Sequence, residues 1–120
     1  MQKTAFLSDI HGNAVALQAV LEDVRSQGCQ QVFVLGDIIN GMDPSGCITI
    51  LKEIENLQCI KGNAEQYVLT PDLDVFPHGD VALYPDLLEL IRWWQKHMSA
   101  ADFEFIRVLP DILHMGSWYL

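Results

Sequence analysis

Apolar residues fall along this chain in short blocks, and the spacing inside each block predicts the element it forms. Thr4-Ala5-Phe6-Leu7 is a brief apolar run that suits a strand buried on both faces. Leu17, Val20, Leu21 and Val24 then recur at i, i+3, i+4 and i+7, the stripe of an amphipathic helix, with Asn13 as its N-cap and Gly28 as its left-handed end. Gln31-Val32-Phe33-Val34-Leu35, rich in β-branched and aromatic residues, predicts a second strand that stops at Gly36-Asp37. Ile48, Leu51 and Ile54 predict a second helix opening at Pro44 or Ser45, and Leu57-Gln58-Cys59-Ile60 a third strand stopping at Lys61-Gly62-Asn63.

The second half is read in the same way. Ala64 to Leu69 suits one or two helical turns, and Pro71, Pro77 and Gly79 mark an irregular segment. A helix is expected from Pro85 through Leu87, Leu88, Ile91 and Trp94. Ser99 and Asp102 form a capping box for one more, which carries Phe103 and Ile106 and is closed by Pro110. Ile112 to Met115, Gly116-Ser117 and Trp118 to Leu120 read as strand, two-residue turn and strand. Strands alternating with helices of this length imply an α/β fold with a parallel sheet and right-handed crossovers. No internal repeat or low-complexity tract interrupts it, so residues 1–120 are expected to form a single domain.

Charge and composition narrow the function. Lys and Arg number 7 against 16 Asp and Glu, a formal net charge of −9, which argues against a general nucleic-acid binder needing a basic face. The chain is 50% hydrophobic, yet it contains no apolar run long enough to span a bilayer and no signal-peptide pattern at its start. A cytoplasmic protein without membrane contact is the expectation. Cys29, Cys47 and Cys59 are odd in number, widely spaced and free of any C-x-x-C pair, so they read as reduced, mostly buried thiols.

Candidate chemistry follows from the strand ends. In a parallel α/β sheet the loops after the strands project from one common edge, where sites form. Asp9 and His11, then Asp37, then Asn63 each fall just past a predicted strand. Carboxylate, imidazole and amide oxygen converging on one edge suit Mn²⁺, Fe or Zn²⁺. Gly12, Gly36 and Gly62 beside them are expected to let the backbone turn sharply and approach a substrate closely.

Asp9-Ile10-His11-Gly12-Asn13, Gly36-Asp37 and Gly62-Asn63-Ala64-Glu65, in this order and spacing, resemble the calcineurin-like metallophosphoesterases. The loop from Gly36 to Pro44 resembles their compact prokaryotic branch of phosphodiesterases and protein-phosphatase-like enzymes. The resemblance implies the layered parallel-sheet metallophosphoesterase fold, here ending after its first half. It also implies a centre of two divalent ions (Mn, Fe, Zn or Ni) that hydrolyses phosphate mono- or diesters with a metal-bound hydroxide. Carried over by position, Asp9 and His11 hold the first metal, Asp37 bridges both, and Asn63 binds the second. Asp37 and Asn63 are then the catalytic pair, and Asn13 and Asn63 contact the phosphate-ester substrate.

Two positions depart from that pattern. Ala64 stands where the family often has a histidine that assists the leaving group, while Glu65 keeps the acidic position and reads as structural. The family's later histidines have no counterpart: His78, His97 and His114 match none of its motifs, and structural roles are favoured for all three. Weak metal binding, little hydrolysis and self-association through an uncovered sheet edge are therefore expected. The alternative is a phosphoesterase remnant that binds a phospholigand or partner without turnover. A plain α/β domain whose Asp and Asn residues only cap turns is disfavoured by three motifs in register. A phosphoaspartate hydrolase or receiver domain is disfavoured by His11 and by the lack of a suitably placed lysine.

Overall fold

The computed structural model describes residues 3–70 and 85–120. The reading of Pro71, Pro77 and Gly79 as an irregular segment, and of His78 as a structural residue, lies outside the described residues. Three parallel strands, β1 (Thr4–Leu7), β2 (Gln31–Val34) and β3 (Leu57–Cys59), form a sheet in the order β1-β2-β3. The predicted strands are real but shorter by one residue at the ends of the second and third. Leu35 and Ile60 leave strand geometry while their N–H groups still donate across the sheet, to Leu7 and Val34.

Register fixes what matters for function. Leu7 lies opposite Val34 and Val34 opposite Cys59, so all three strands finish side by side and their following loops emerge together. Helix α1 (Ala14–Ser26) joins β1 to β2 and α2 (Pro44–Lys52) joins β2 to β3. Asn13 caps α1 by accepting from the Ala16 N–H at 3.0 Å, and Gly28 lies just past its end at φ 70°, as the sequence predicts. The cap of α2 is Asp43, one residue before the predicted start: its Oδ1 accepts from Gly46 N–H at 2.9 Å and Pro44 occupies the first turn. That helix ends at Lys52, so Ile54 packs against the core from the turn beyond it.

Helix α3 (Asn63–Leu69) begins at the last ligand candidate; α4 (Pro85–His97) and α5 (Ala100–Arg107) follow. The Ser99–Asp102 capping box forms as expected, with Ser99 N–H donating to Asp102 Oδ2 at 2.9 Å. Asp102 also accepts from Ser45 Oγ at 2.7 Å, which ties the start of α5 to α2. Burial opposes ionisation of Asp102. Its hydrogen bonds from Ser99 and Ser45, with Lys52 nearby, nevertheless hold the carboxyl below its ordinary range. Helix α1 lies against α2, α3 against α4, and α5 against both α2 and α3.

The core is one cluster. Leu17 and Leu21 from α1, Val32 and Val34 from β2, Ile48 and Leu51 from α2, and Ile91 and Trp94 from α4 all pack into it. These are largely the positions the helical stripes marked. Ile38 and Ile39, in the loop after β2, are fully buried and belong to the same cluster, so the loop that carries Asp37 is anchored by its neighbours. A two-strand hairpin, β4 (His114–Met115) and β5 (Trp118–Tyr119), closes the chain, with Leu113 and Leu120 extending its ladder. No helix among the described residues is long and apolar enough to cross a membrane.

Candidate metal centre

The loops after β1 and β2 are stitched together by main-chain bonds. His11 N–H donates to Asp37 O at 2.9 Å, Gly12 N–H to Ile38 O at 2.7 Å, and Asp43 N–H to Gly12 O at 3.0 Å. Gly41 packs on the His11 carbonyl so closely that a Cβ there would overlap it. Asp9, His11 and Asp37 all adopt positive φ (56°, 50° and 53°), and only Asn56 joins them among described residues other than glycine. Left-handed backbone at a non-glycine residue is costly and concentrates where function requires it. Here it occurs in the loops after β1 and β2, at the three residues whose side chains cluster.

The predicted ligands meet there. One ligand atom from each of Asp9, His11 and Asp37 lies within 4.8 Å of the others, the group among the described residues that could hold a metal ion. His11 Nε2 is 3.3 Å from Asp9 Oδ1. Its Nδ1 contacts the Asn40 side-chain oxygen, so the two ring nitrogens are held between Asn40 and Asp9. The Asn63 side chain lies against this group, its amide NH₂ donating to the two Asp37 oxygens at 3.3 and 3.2 Å. Asp37 thus contacts Asn63 and also belongs to the Asp9–His11–Asp37 group. Two carboxylates and an imidazole within 4.8 Å, with no lysine or arginine in the group, make a donor set that fits a divalent cation.

Glu65 holds the frame. It is fully buried, and its carboxylate accepts four backbone N–H groups. Oε1 takes Ile38 (2.7 Å) and Ile39 (3.2 Å), and Oε2 takes Asp37 (2.9 Å) and Gly62 (2.7 Å). A carboxylate offers about four lone-pair sites, so none remains for a metal. The structural reading of Glu65 made from the sequence is the one its contacts describe.

Other positions differ from expectation in instructive ways. Gly36 does need its left-handed backbone (φ 87°), whereas Gly62 has an ordinary φ and is glycine because a Cβ would strike Asp37. The close approach seen at both is of backbone to protein: Gly36 to Gly62, and Gly62 to Asp37. Ala64 is buried in the core, and its N–H donates to Asp37 Oδ1 at 3.0 Å, so this position steadies the carboxylate through its main chain. Sequence reasoning missed Asn40, which orients His11; the Asn40-Gly41 pair registers only as a loop signal. His97 stacks on Trp93 at 4.0 Å and His114 meets Tyr119 edge-on at 4.6 Å, and neither joins the cluster.

The family model for calcineurin-like phosphoesterases matches residues 2–114. The chain belongs to that family. Members of this phosphoesterase family act on phosphate esters with metal ions, and the Asp9, His11 and Asp37 group is this member's possible metal site. Among relatives, protein MJ0912 of Methanocaldococcus jannaschii is 34% identical over 112 residues, covering 91% of this chain and 42% of its own length. The phosphodiesterase YfcE of Escherichia coli K12 is 32% identical over 78 residues, covering 57% of this chain and 42% of its own length. The crystal structure of a metallophosphoesterase from Sphaerobacter thermophilus superposes with a TM-score of 0.75 at 24% identity, covering 98% of this chain and 45% of that one. The chain therefore shares the phosphoesterase fold while spanning under half the length of these three relatives.

Proposed function

We infer that this chain carries the cation-binding strand ends of a metal-dependent phosphoesterase that hydrolyses small phosphate mono- or diesters. The observation that supports the reading most is the convergence of Asp9, His11 and Asp37 within 4.8 Å, each on left-handed backbone, with the Asn63 amide against Asp37. Asp9 and His11 would hold one divalent ion and Asn63 a second, with Asp37 shared between them. Mn, Fe, Zn and Ni all suit such donors. When bound, such ions activate water and neutralise phosphoryl charge.

The chain's own residues prepare that site. Glu65 clamps the Asp37–Ile39 backbone, so the shared carboxylate is placed before any ligand arrives. Asn40 holds His11 Nδ1, which leaves Nε2, on the Asp9 side of the ring, as the nitrogen to coordinate. Asn13 opens a thirteen-residue helix directly after His11-Gly12, and the positive end of that helix favours a phosphate oxygen there. Asn63, whose amide rests on Asp37, would contact the same phosphate.

A second reading, a phospholigand-binding module without turnover, is favoured by one observation: among the described residues the cluster supplies three carboxylate and imidazole ligands, few for two ions. Hydrolysis of bis-p-nitrophenyl phosphate by the pure chain separates the two. The account predicts slow release of p-nitrophenol that requires Mn²⁺ and disappears in D37N. Mn²⁺ binding without turnover selects the binding module, and rapid turnover by the monomer contradicts the incomplete ligand set.

A further inference from the structure

Beside the cluster, on the side of Asn40, the surface dips into an apolar hollow of about 320 Å³ lined by Asn40, Gly41, Met42, Leu90, Trp93 and Trp94. Among the described residues its wall carries no charged side chain, on a protein of net charge −9. Large apolar groups stand open in it: Met42 is 85% exposed, Leu90 49% and Trp93 36%. A few isolated exposed apolar residues are ordinary, but three lining one concavity mark a binding surface.

The hollow is built rather than accidental. Trp93 is backed by the His97 ring, stacked at 4.0 Å with an interplanar angle of 21°, and His97 Nδ1 lies 2.7 Å from the Trp93 carbonyl oxygen. Trp94 is buried and donates its indole N–H to the Gly41 carbonyl at 3.1 Å, which pins the floor to α4. The floor is continuous with the cluster, because Asn40 contacts His11 Nδ1 and Gly41 packs on the His11 carbonyl. A second hollow of about 370 Å³, which includes His11, Asn13 and Asp43, shares Gly41 and Met42 with the first.

We propose that this hollow binds a flat, uncharged aromatic group of the phosphate ester whose phosphoryl end lies at the Asp9–His11–Asp37 cluster, with Trp93 as the stacking face and Met42 and Leu90 as its flanks. This rests on the phosphoesterase reading above. Size supports it: an enclosed cavity of about 150 Å³ accepts a benzene ring, so a hollow twice as large accepts a two-ring system. Chemistry supports it too. Among the described residues the wall has no cation to draw a second phosphate and no carboxylate to draw an amine, while an indole face and a thioether favour aromatic carbon.

The test compares 1-naphthyl phosphate with methyl phosphate on the Mn²⁺-loaded chain by titration calorimetry. Wild type is expected to bind the naphthyl ester at least roughly tenfold more tightly. W93A should bring the two affinities to within about twofold, W93F should restore most of the difference, and M42A, at an exposed position that folding does not need, should reduce it. Equal affinities in wild type, or a preference unchanged in folded W93A and M42A, overturn the proposal. Failure of the metal reading shows separately, as absence of Mn²⁺ binding. 1-Naphthol, which has no phosphate, then reports on the hollow alone: saturable binding lost in W93A upholds it, and no saturable binding overturns it.

Discussion

Removing the Glu65 carboxylate should be among the most damaging single changes outside the ligands themselves. Four N–H groups depend on it, and two of them, on Ile38 and Ile39, belong to fully buried residues that water does not reach. Each buried donor left unpaired costs roughly 1–3 kcal/mol, so the loss in E65A is on the order of 2–6 kcal/mol. Recovered desolvation of the carboxylate offsets part of this. Against a typical domain stability of roughly 5–15 kcal/mol that is a large fraction. E65Q is the sharper variant, because it keeps the volume and turns an NH₂ toward two N–H donors that need an acceptor. Urea unfolding followed by far-UV circular dichroism should show its midpoint falling by roughly 1 M or more. Mn²⁺ affinity should fall with it in the protein still folded, since Asp37 loses the clamp on its backbone. An E65Q protein within about 0.5 kcal/mol of wild type would refute the assignment of Glu65 as the clamp.

Three further outcomes follow from the same contacts. Asp102 is held below its ordinary pKa of 3.8, so its contribution is present at neutral pH and is lost as pH falls through the folded value. D102N should therefore cost about 1–2 kcal/mol near neutrality, a difference that narrows below about pH 4 and that a pH series of denaturant melts reads directly. Burial pushes the Cys47 thiol to about 11 and the Cys59 thiol to about 12, with the Asp43 and Glu65 charges adding to the rise. Ellman's reagent at about pH 8 should label Cys29 in the native protein and reach the other two only on unfolding; prompt reaction of all three contradicts their burial. Strand β1 lies at the end of the sheet order with Phe6 47% exposed. Self-association through that edge should be opposed by the net charge of −9 and therefore grow with added salt in sedimentation runs, and F6K should suppress it. A monomer at every salt concentration counts against the edge.

Much of this was legible before the fold, for identifiable physical reasons. Leu17, Leu21, Ile48, Leu51, Ile91 and Ile106 lie on their helices at core-facing spacing, and Asn13 and Ser99 have few roles other than caps where they stand. Asp9, His11, Asp37 and Asn63 could be placed on one edge because parallel strands in register bring their following loops together. What stayed hidden was contact across the loops. Nothing in Asn40-Gly41 announces that its amide orients a histidine 29 positions earlier, because that contact exists only once two strands pair. Glu65 was recognised as structural, yet its reach to Asp37, Ile38 and Ile39 depends on how β2 and α3 meet. The hollow beside Trp93 was equally invisible, since its walls come from the loop after β2 and from a helix some fifty residues later in the chain.

The central claim is that Asp9, His11 and Asp37 bind a divalent cation as a group, and Mn²⁺ titration calorimetry tests it most directly. Wild type should give a saturable isotherm, and D37N should weaken it by at least roughly tenfold because it removes one of the two clustered carboxylates. D23N, which removes the same charge from the latter half of α1, should leave the isotherm in place and so separate a defined site from general attraction to an acidic surface. Binding that is absent in wild type, or equal in wild type, D37N and D23N, would contradict the account.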